Sequence, residues 1–371
     1  MAANVVGLDI GSTAVRGVEL RAAKKNKPNL LRFHEVALPP GAVSRGEILD
    51  AVAVGSALKQ LWSEGRFKTK DVVLGTGNQN VLVRDLTVPK MSLREIRESL
   101  PVQVQSLLQM TLEDSILDFY PVSEGMNEQG PTVNGLLIAA EKEGILSTIR
   151  VAERAGLTPV DVDLIPFALN RLLIGKSGVE ATVAIIDVGG STTSMIIVRE
   201  GVPQFVRIIP AGGDDLTQAL KAGLEINANA TEELKRTLHV GAALAADDDS
   251  ETGKSQCSCP KCLADIVTVE DPRANEILQR VTGELLSGLR NTVSYFNNTH
   301  FQNPVTQILL TGGGSRLSGF ATALRAMTQI PVSPANPLSM VNLSRKSSNK
   351  NQIGNTQSLS VALGLAMRNL S

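Results

Sequence analysis

The chain has 371 residues, enough for two or three structural units, and at 43% hydrophobic and 20% charged it has the balance of a globular protein with a sizeable core. Its 36 basic and 37 acidic residues leave a formal charge of −1, without the basic excess of a general nucleic-acid binder. Three cysteines crowded into one stretch make no disulfide framework, no run approaches the roughly 20 apolar residues of a membrane span, and the first apolar run, Val5–Ile10, is short and carries Asp9, unlike a signal-peptide core. The expectation is a cytoplasmic protein with no nucleic-acid partner and no direct membrane insertion.

In chain order, Val5–Leu20 reads as an apolar strand, an aspartate at its end, a Gly/Ser/Thr turn and a second apolar strand. Ala53–Trp62 predicts a helix in which Trp62 belongs to the core or its edge. His34 and His300 have no partner in the sequence and read as surface or packing residues. Val81–Val88 alternates as a half-buried strand should. Ser92 with Glu95 makes a capping box for the next helix, and Pro101 is expected to break or kink it. Ile116–Val122 and Val133–Ala140 read as two strands joined by a loop, and Glu143–Ala155 as a helix stopped by Gly156 and Pro159. The result is a compact strand–helix–strand–strand–helix unit inside the first half.

The second half opens on a repeat of the first. Val183–Val198 has the same strand, aspartate, turn and strand as Val5–Leu20, and Asp9 and Asp187 lie 187 − 9 = 178 residues apart, the spacing of a domain duplication. Glycine lets backbone N–H groups approach a phosphate, and Ser or Thr adds hydroxyl donors. An aspartate beside such a turn can hold Mg²⁺, usually through water. One copy alone could equally be an ordinary hairpin turn; two facing copies would clamp a polyphosphate. Further on, Ile308–Phe320 gives a buried strand, three glycines and a helix start, a junction on which a flat ligand or phosphate can lie. It lacks the spacing and position of a Rossmann dinucleotide turn. Asp271–Pro272 opens a long helix whose Ile277, Val281, Leu285, Leu289 and Val293 stripe reads as core. The Ser-, Asn- and Lys-rich stretch 340–356 reads as an exposed loop.

Asp9–Thr13 (DIGST) resembles the phosphate-1 motif of the actin/Hsp70/hexokinase superfamily, Asp187–Thr193 (DVGGSTT) its phosphate-2 motif, and LLTGGGSRLSGF its adenosine motif. Ile165–Leu173 and Ser358–Met367 are similar to the two connecting helices. AGGDDLT (Ala211–Thr217) resembles the Gly-Gly turn of Hsp70 and bacterial actins, and TEELK (Thr231–Lys235) their ribose-contacting helix. Within the superfamily the closest resemblance is to the FtsA-like branch and, inside it, to the PilM family of type IV pilus assembly ATPases. It is carried by MSLREIRESLPVQVQSLL, LDFYPV, LLIAAEKEGI and AGLTPVDVDLIPFAL. The Tyr-Ile-Pro usual in that family's helix region is absent; Ser106–Met110 stands there instead.

The resemblance implies an α/β fold of duplicated actin-like ATPase (ribonuclease H-like) domains with an inserted strand–helix–strand–strand subdomain. Residues 1–81 and 164–180 would form subdomain 1A, 82–163 subdomain 1C, 181–213 and 305–371 subdomain 2A, and 214–304 subdomain 2B. ATP and Mg²⁺ would be the cofactors. Gly11, Ser12, Thr13, Gly189, Gly190, Ser191 and Thr192 would cradle the phosphates, with the Gly212–Gly213 turn beside them. Glu232 and Lys235 would contact the ribose, and Gly312, Gly313, Gly314 and Ser315 would hold the adenosine. Asp9 and Asp187 would orient Mg²⁺ and water as the catalytic pair of a weak ATPase. The implied function is a nucleotide-regulated scaffold at the inner face of the cytoplasmic membrane. It would grip the N-terminal cytoplasmic peptide of a PilN-type membrane protein in a groove by the inserted subdomain, with self-association a further expectation.

Three other readings stand beside it. A cell-division protein of the FtsA type would end in a linker and a basic amphipathic helix, whereas this sequence ends at GLAMRNLS. A sugar or small-acid kinase would need an aspartate base in the cleft; Asp161 and Asp163 lie near the hinge but read as strand-end residues. An iron–sulfur activator ATPase could use the cysteines. Cys257, Cys259 and Cys262 form CxCxxC, three ligands of the four that a Zn²⁺ site needs, and neither His239 nor Asp265 completes them at a standard spacing. The alternative is an exposed loop with free thiols.

Overall fold

The computed structural model describes residues 4–23, 27–104, 107, 111–175, 181–241, 272–343 and 356–368. The cysteine cluster and Asp265 lie outside the described residues, as does most of the stretch 340–356.

The first half opens with β1 (Val5–Ile10), β2 (Ala14–Arg21) and β3 (Asn29–Ala37), followed by a small hairpin of β4 (Val43–Ser44) and β5 (Glu47–Ile48). Helix α1 (Ala51–Gly65) follows, capped by the Asp50 carboxylate on two backbone N–H groups, then β6 (Asp71–Thr76). After the inserted unit of β7 (Leu82–Pro89), α2 (Leu93–Val104), β8 (Ser115–Asn127), β9 (Gly130–Glu141) and α3 (Lys142–Arg154), the chain returns through β10 (Thr158–Leu164) and α4 (Ile165–Leu173). The second half runs β11 (Thr182–Val188), β12 (Thr193–Arg199), β13 (Val202–Ile209), α5 (Gly213–Leu224), α6 (Ala228–Thr237), α7 (Pro272–Thr299), β14 (Gln307–Thr311), α8 (Phe320–Thr328), β15 (Val332–Pro334), β16 (Asn342–Leu343) and α9 (Ser360–Ala366).

The repeat read in the sequence is a repeat in space. In the first sheet β1 pairs antiparallel with β2 and parallel with β6, in the order β10-β6-β1-β2-β3-β16. In the second, β11 pairs antiparallel with β12 and parallel with β14, in the order β13-β12-β11-β14-β15. The central strands are covered on both faces, so they are continuous apolar runs rather than alternating ones. Outside the first sheet, Leu58 and Leu61 of α1 pack on Val6, Leu8 and Val15. Between the two sheets lie α4 and α9, whose Ala168, Leu169, Val361 and Leu365 share a core with Val5 and Val73 of one sheet and Ile185 and Ile196 of the other. Outside the second sheet, the expected α7 stripe is core: Leu285, Leu289 and Val293 are buried, and Ile277 and Val281 pack against them.

The inserted unit is an antiparallel sheet, β7-β9-β8, on which Ile96, Leu100 and Val104 of α2 cover Val88, Phe119 and Leu137. The capping box forms as read, with Ser92 N–H donating to Glu95 (2.8 Å) and Glu95 N–H to Ser92 Oγ (3.3 Å). One expectation is corrected. Of the break or kink expected at Pro101, the break does not occur: α2 runs on to Val104, with Leu100 and Val104 held in the core. The helix expected at the end of the Ile308–Phe320 segment starts at Phe320, after a single 3₁₀ turn at Gly314–Arg316. The β8–β9 hairpin is also longer than its apolar segments, because polar Ser123, Glu124 and Asn127 continue the ladder. Trp62 packs at a tilt against Phe67 and donates to the Thr69 carbonyl, while His34 pairs with Glu64 and His300 stacks on Phe296.

Candidate functional site

Asp9 and Asp187 each stand one residue from the end of the central strand of their sheet, beside the hairpin turn that follows. Their local setting is the same, and the fold brings both to the wall of one small cavity of about 110 Å³. Gly11, Ser12, Gly189, Ser191, Thr192 and Gly312 line it too. Gly312 has φ +88, and a Cβ there would lie 2.4 Å from an Asp187 oxygen, so the third glycine motif presses its backbone against the second aspartate.

Both carboxyls have raised pKa values. Burial is the main cause for Asp9, which is 8% exposed, and Arg16 opposes it with Nη1 3.5 Å away. Asp187 is pushed up to about 7, by burial first and then by the charge of Asp9. Arg16 sits opposite Asp9 in the β1–β2 register and is shared with Glu35. Two desolvated carboxylates that only one arginine compensates suit a hard divalent cation with oxygen ligands such as Mg²⁺. Among the described residues no cluster of three or more His, Cys, Asp or Glu could hold a metal.

A second cavity of about 720 Å³ shares Thr13, Gly189, Gly190 and Gly313 with the first. That volume lies within the range of small-molecule sites. Glu232 and Lys235 line it as expected, together with Gly213 and Gly314. Lys235 Nζ is held by the Gly213 carbonyl (2.9 Å) and Thr217 Oγ1 (2.8 Å), and Thr217 Oγ1 donates to Glu232 (2.8 Å). Thr217 thus holds Glu232 and Lys235 together, a role the sequence did not announce. Arg236 and Arg316 line the same cavity, and each is the residue after an expected one. A planar guanidinium can stack on a purine face. Ser315 lines neither cavity; it turns back to donate to the Gly312 carbonyl (2.7 Å) and braces its own loop. Gly212 is spent on packing, since a Cβ there would lie 2.4 Å from the Gly190 carbonyl oxygen.

The halves also touch directly. Ser12 Oγ donates to Asp214 (2.7 Å), a carboxylate occupying a donor that a phosphate oxygen could otherwise take. Arg45 forks onto Asp215 (3.1 and 2.6 Å) and holds Ser191 through both its hydroxyl and its carbonyl. Asp161 and Asp163 are not cleft bases: Asp161 pairs with Arg368, and Asp163, 2% exposed, pairs with Arg171 (2.8 Å) and Arg368 (2.6 Å). No helix among the described residues is long and apolar enough to cross a membrane.

Comparison with known proteins adds the relatives. Cell division protein FtsA of Bacillus subtilis strain 168 is 24% identical over 362 residues, 90% of this chain and 78% of that protein. FtsA of Neisseria meningitidis serogroup B is 24% identical over 370 residues, 91% and 84% of the two. A chain of the solved PilM-PilN type IV pilus biogenesis complex superposes with a TM-score of 0.79 at 25% identity, all of both chains being covered. MreB 5 of Spiroplasma citri bound to AMPPNP gives 0.52 at 13% identity over 98% of this chain and 95% of that one. The fold is therefore that of the actin-like ATPases. The family model of cell division protein FtsA matches residues 184–364, and that of type IV pilus assembly protein PilM matches residues 7–247. Since the latter match spans more than half of the sequence and runs through both turns of the cleft, the chain belongs to the family of type IV pilus assembly protein PilM.

Proposed function

We propose that the chain binds ATP with Mg²⁺ between its two sheets and works as a nucleotide-regulated cytoplasmic scaffold of type IV pilus assembly. It would grip the N-terminal cytoplasmic peptide of a PilN-type inner-membrane partner. The observation that carries the nucleotide half is the convergence of Asp9, Asp187 and three glycine turns on two cavities that share a wall. The partner half rests on the likeness to the PilM chain of the PilM-PilN complex. The FtsA family model matches residues 184–364 and the FtsA relatives are 24% identical, so this likeness supports the fold, while the PilM family match carries the function.

In this reading Gly11–Thr13 and Gly189–Thr192 offer backbone N–H groups and hydroxyls to the phosphates. The adenosine lies in the larger cavity, its ribose against Glu232 and Lys235 and its base between Arg236 and Arg316. Asp9 and Asp187 hold Mg²⁺ through water, and the ion neutralises phosphate charge when bound. Turnover would be slow: among the described residues Arg16 is the one cationic side chain lining the inner cavity, and Asp9 and Glu35 already engage it, so little positive charge is poised for the transition state. The partner surface is assigned to the inserted unit, where Val102 (84%), Met126 (75%) and Ile116 (40%) are apolar and exposed.

Calorimetric titration with a PilN-type N-terminal peptide, with and without ATP–Mg²⁺, tests both halves. Nucleotide binding together with nucleotide-sensitive peptide binding is the expected result. Nucleotide binding with no peptide binding in either state would remove the partner. A third expectation concerns the larger cavity: Lys235→Ala should weaken ATP about tenfold, the cost of a lost charged hydrogen bond, and an unchanged affinity would move the ribose elsewhere.

A further inference from the structure

The β4–β5 hairpin has no role in the reading so far, yet it touches both the cleft and the inserted unit. Its turn, Arg45–Gly46, has φ values of 51 and 81, a left-handed pair that makes a tight reversal. A Cβ at Gly46 would lie 2.8 Å from Asn78 Cα, so the turn lies against the loop that leads into β7. On the cleft side, Arg45 N–H donates to Ser191 Oγ (3.0 Å), and its guanidinium to the Ser191 carbonyl (2.9 Å) and the Asp215 carboxylate. On the other side, Glu47 accepts from Asn80 Nδ2 (2.9 Å), and the same nitrogen donates to Glu141 (2.7 Å). One amide nitrogen carries two hydrogens, one for each carboxylate. Glu141 ends β9, the central strand of the inserted sheet, and begins α3 without using its side chain as a cap.

We propose that this hairpin transmits nucleotide occupancy from the phosphate turn to the inserted unit, with Asn80 as its joint. The proposal rests on the nucleotide reading of the cleft. A contiguous chain of contacts does not by itself couple two sites; an element with two arrangements is needed. Here that element is the Ser12–Asp214 bond. A phosphate oxygen that takes the Ser12 hydroxyl releases the Asp214 carboxylate, which stands in the first turn of α5 beside Asp215, the anchor of Arg45. Ser191, meanwhile, can donate to phosphate while accepting from Arg45, and a hydroxyl that does both strengthens each bond. Phosphate binding thus tightens the hairpin on the second half and pulls, through Glu47 and Asn80, on the end of β9.

Hydrogen–deuterium exchange of the full chain, with and without saturating ATP–Mg²⁺, tests this in the natural protein and in Asn80→Ala and Glu47→Ala, with ATP affinity measured for each. In the natural protein ATP should slow exchange at the end of β9 and the start of α3 by about fivefold or more. Both variants should bind ATP within about twofold of the natural affinity, with the slowing now confined to the cleft. Two variants that cut the joint from opposite sides guard against one that fails to fold. ATP binding without slowing at β9, or slowing that survives in both variants, would overturn the transmission alone. No ATP binding at all would overturn the cleft reading and the transmission with it.

Discussion

Replacing Asp187 by asparagine should abolish Mg²⁺-dependent ATP binding and, at the same time, stabilise the ligand-free chain above pH 7. Both effects follow from one carboxylate held at a pKa of about 7 against an ordinary value of 3.8. Between those two values the folded chain keeps a proton that the unfolded chain has lost. The stability of the ligand-free protein therefore falls as pH rises through this window, and the whole penalty is present above it. Asp187 still meets water through the cavity, so the penalty should be about 2 kcal/mol, or ~3 °C in melting temperature. The asparagine variant carries no such charge next to Asp9. Its melting temperature should exceed that of the natural protein at pH 8 and converge with it near pH 4. Nucleotide reverses the order, because ATP–Mg²⁺ needs the ionised form. At a hundred times its Kd it should stabilise the natural chain by about 2.7 kcal/mol and the variant by nothing. Its affinity for the natural chain should drop about tenfold per pH unit below the Asp187 pKa. A variant that melts like the natural protein at every pH, or that ATP–Mg²⁺ still stabilises, would take Asp187 out of the site.

The two aspartates were legible because everything that marks them is local: an apolar run, a carboxylate and a glycine turn, twice. The contacts of Arg45 and Asp214 were not legible for the opposite reason. Arg45 meets Ser191 across 146 residues, and Ser12 meets Asp214 across 202, so no spacing in the sequence points from one to the other. Arg236 and Arg316 stood beside expected residues, and the nearest signal was their place in the motifs. Pro101 misled because local breaking tendency was weighed without the burial of Leu100 and Val104 that holds α2 together past it. The strand ends of β8 and β9 were missed because a ladder can continue on polar residues once its register is set.

The connecting helices are a subtler case, and they set the second large expectation. The segments Ile165–Leu173 and Ser358–Met367 look like unremarkable apolar helices, and only resemblance gave them a place. The structure shows why their small residues matter: a Cβ on Gly364 would lie 2.2 Å from the Ala168 carbonyl oxygen and 2.6 Å from its carbon. A Cβ on Gly7 would lie 2.0 Å from the Ala362 carbonyl oxygen. These neighbours are backbone, so they cannot rotate aside as a side chain would. Gly364→Ala should therefore destabilise the chain by about 3 kcal/mol, even though alanine is the better helix former. Gly283, inside α7, is the matching control, because a Cβ there meets nothing within 4 Å. Gly283→Ala should stabilise by about 0.5–1 kcal/mol. Urea unfolding of both variants makes the comparison within one fold and one substitution type, so helix propensity cancels and the sign reports only the room at each site. If Gly364→Ala proved as stable as Gly283→Ala, α4 and α9 could not cross at backbone contact. The side-chain core around these helices and the Ser12–Asp214 and Arg45–Asp215 bonds would then be left to hold the two sheets at the cleft.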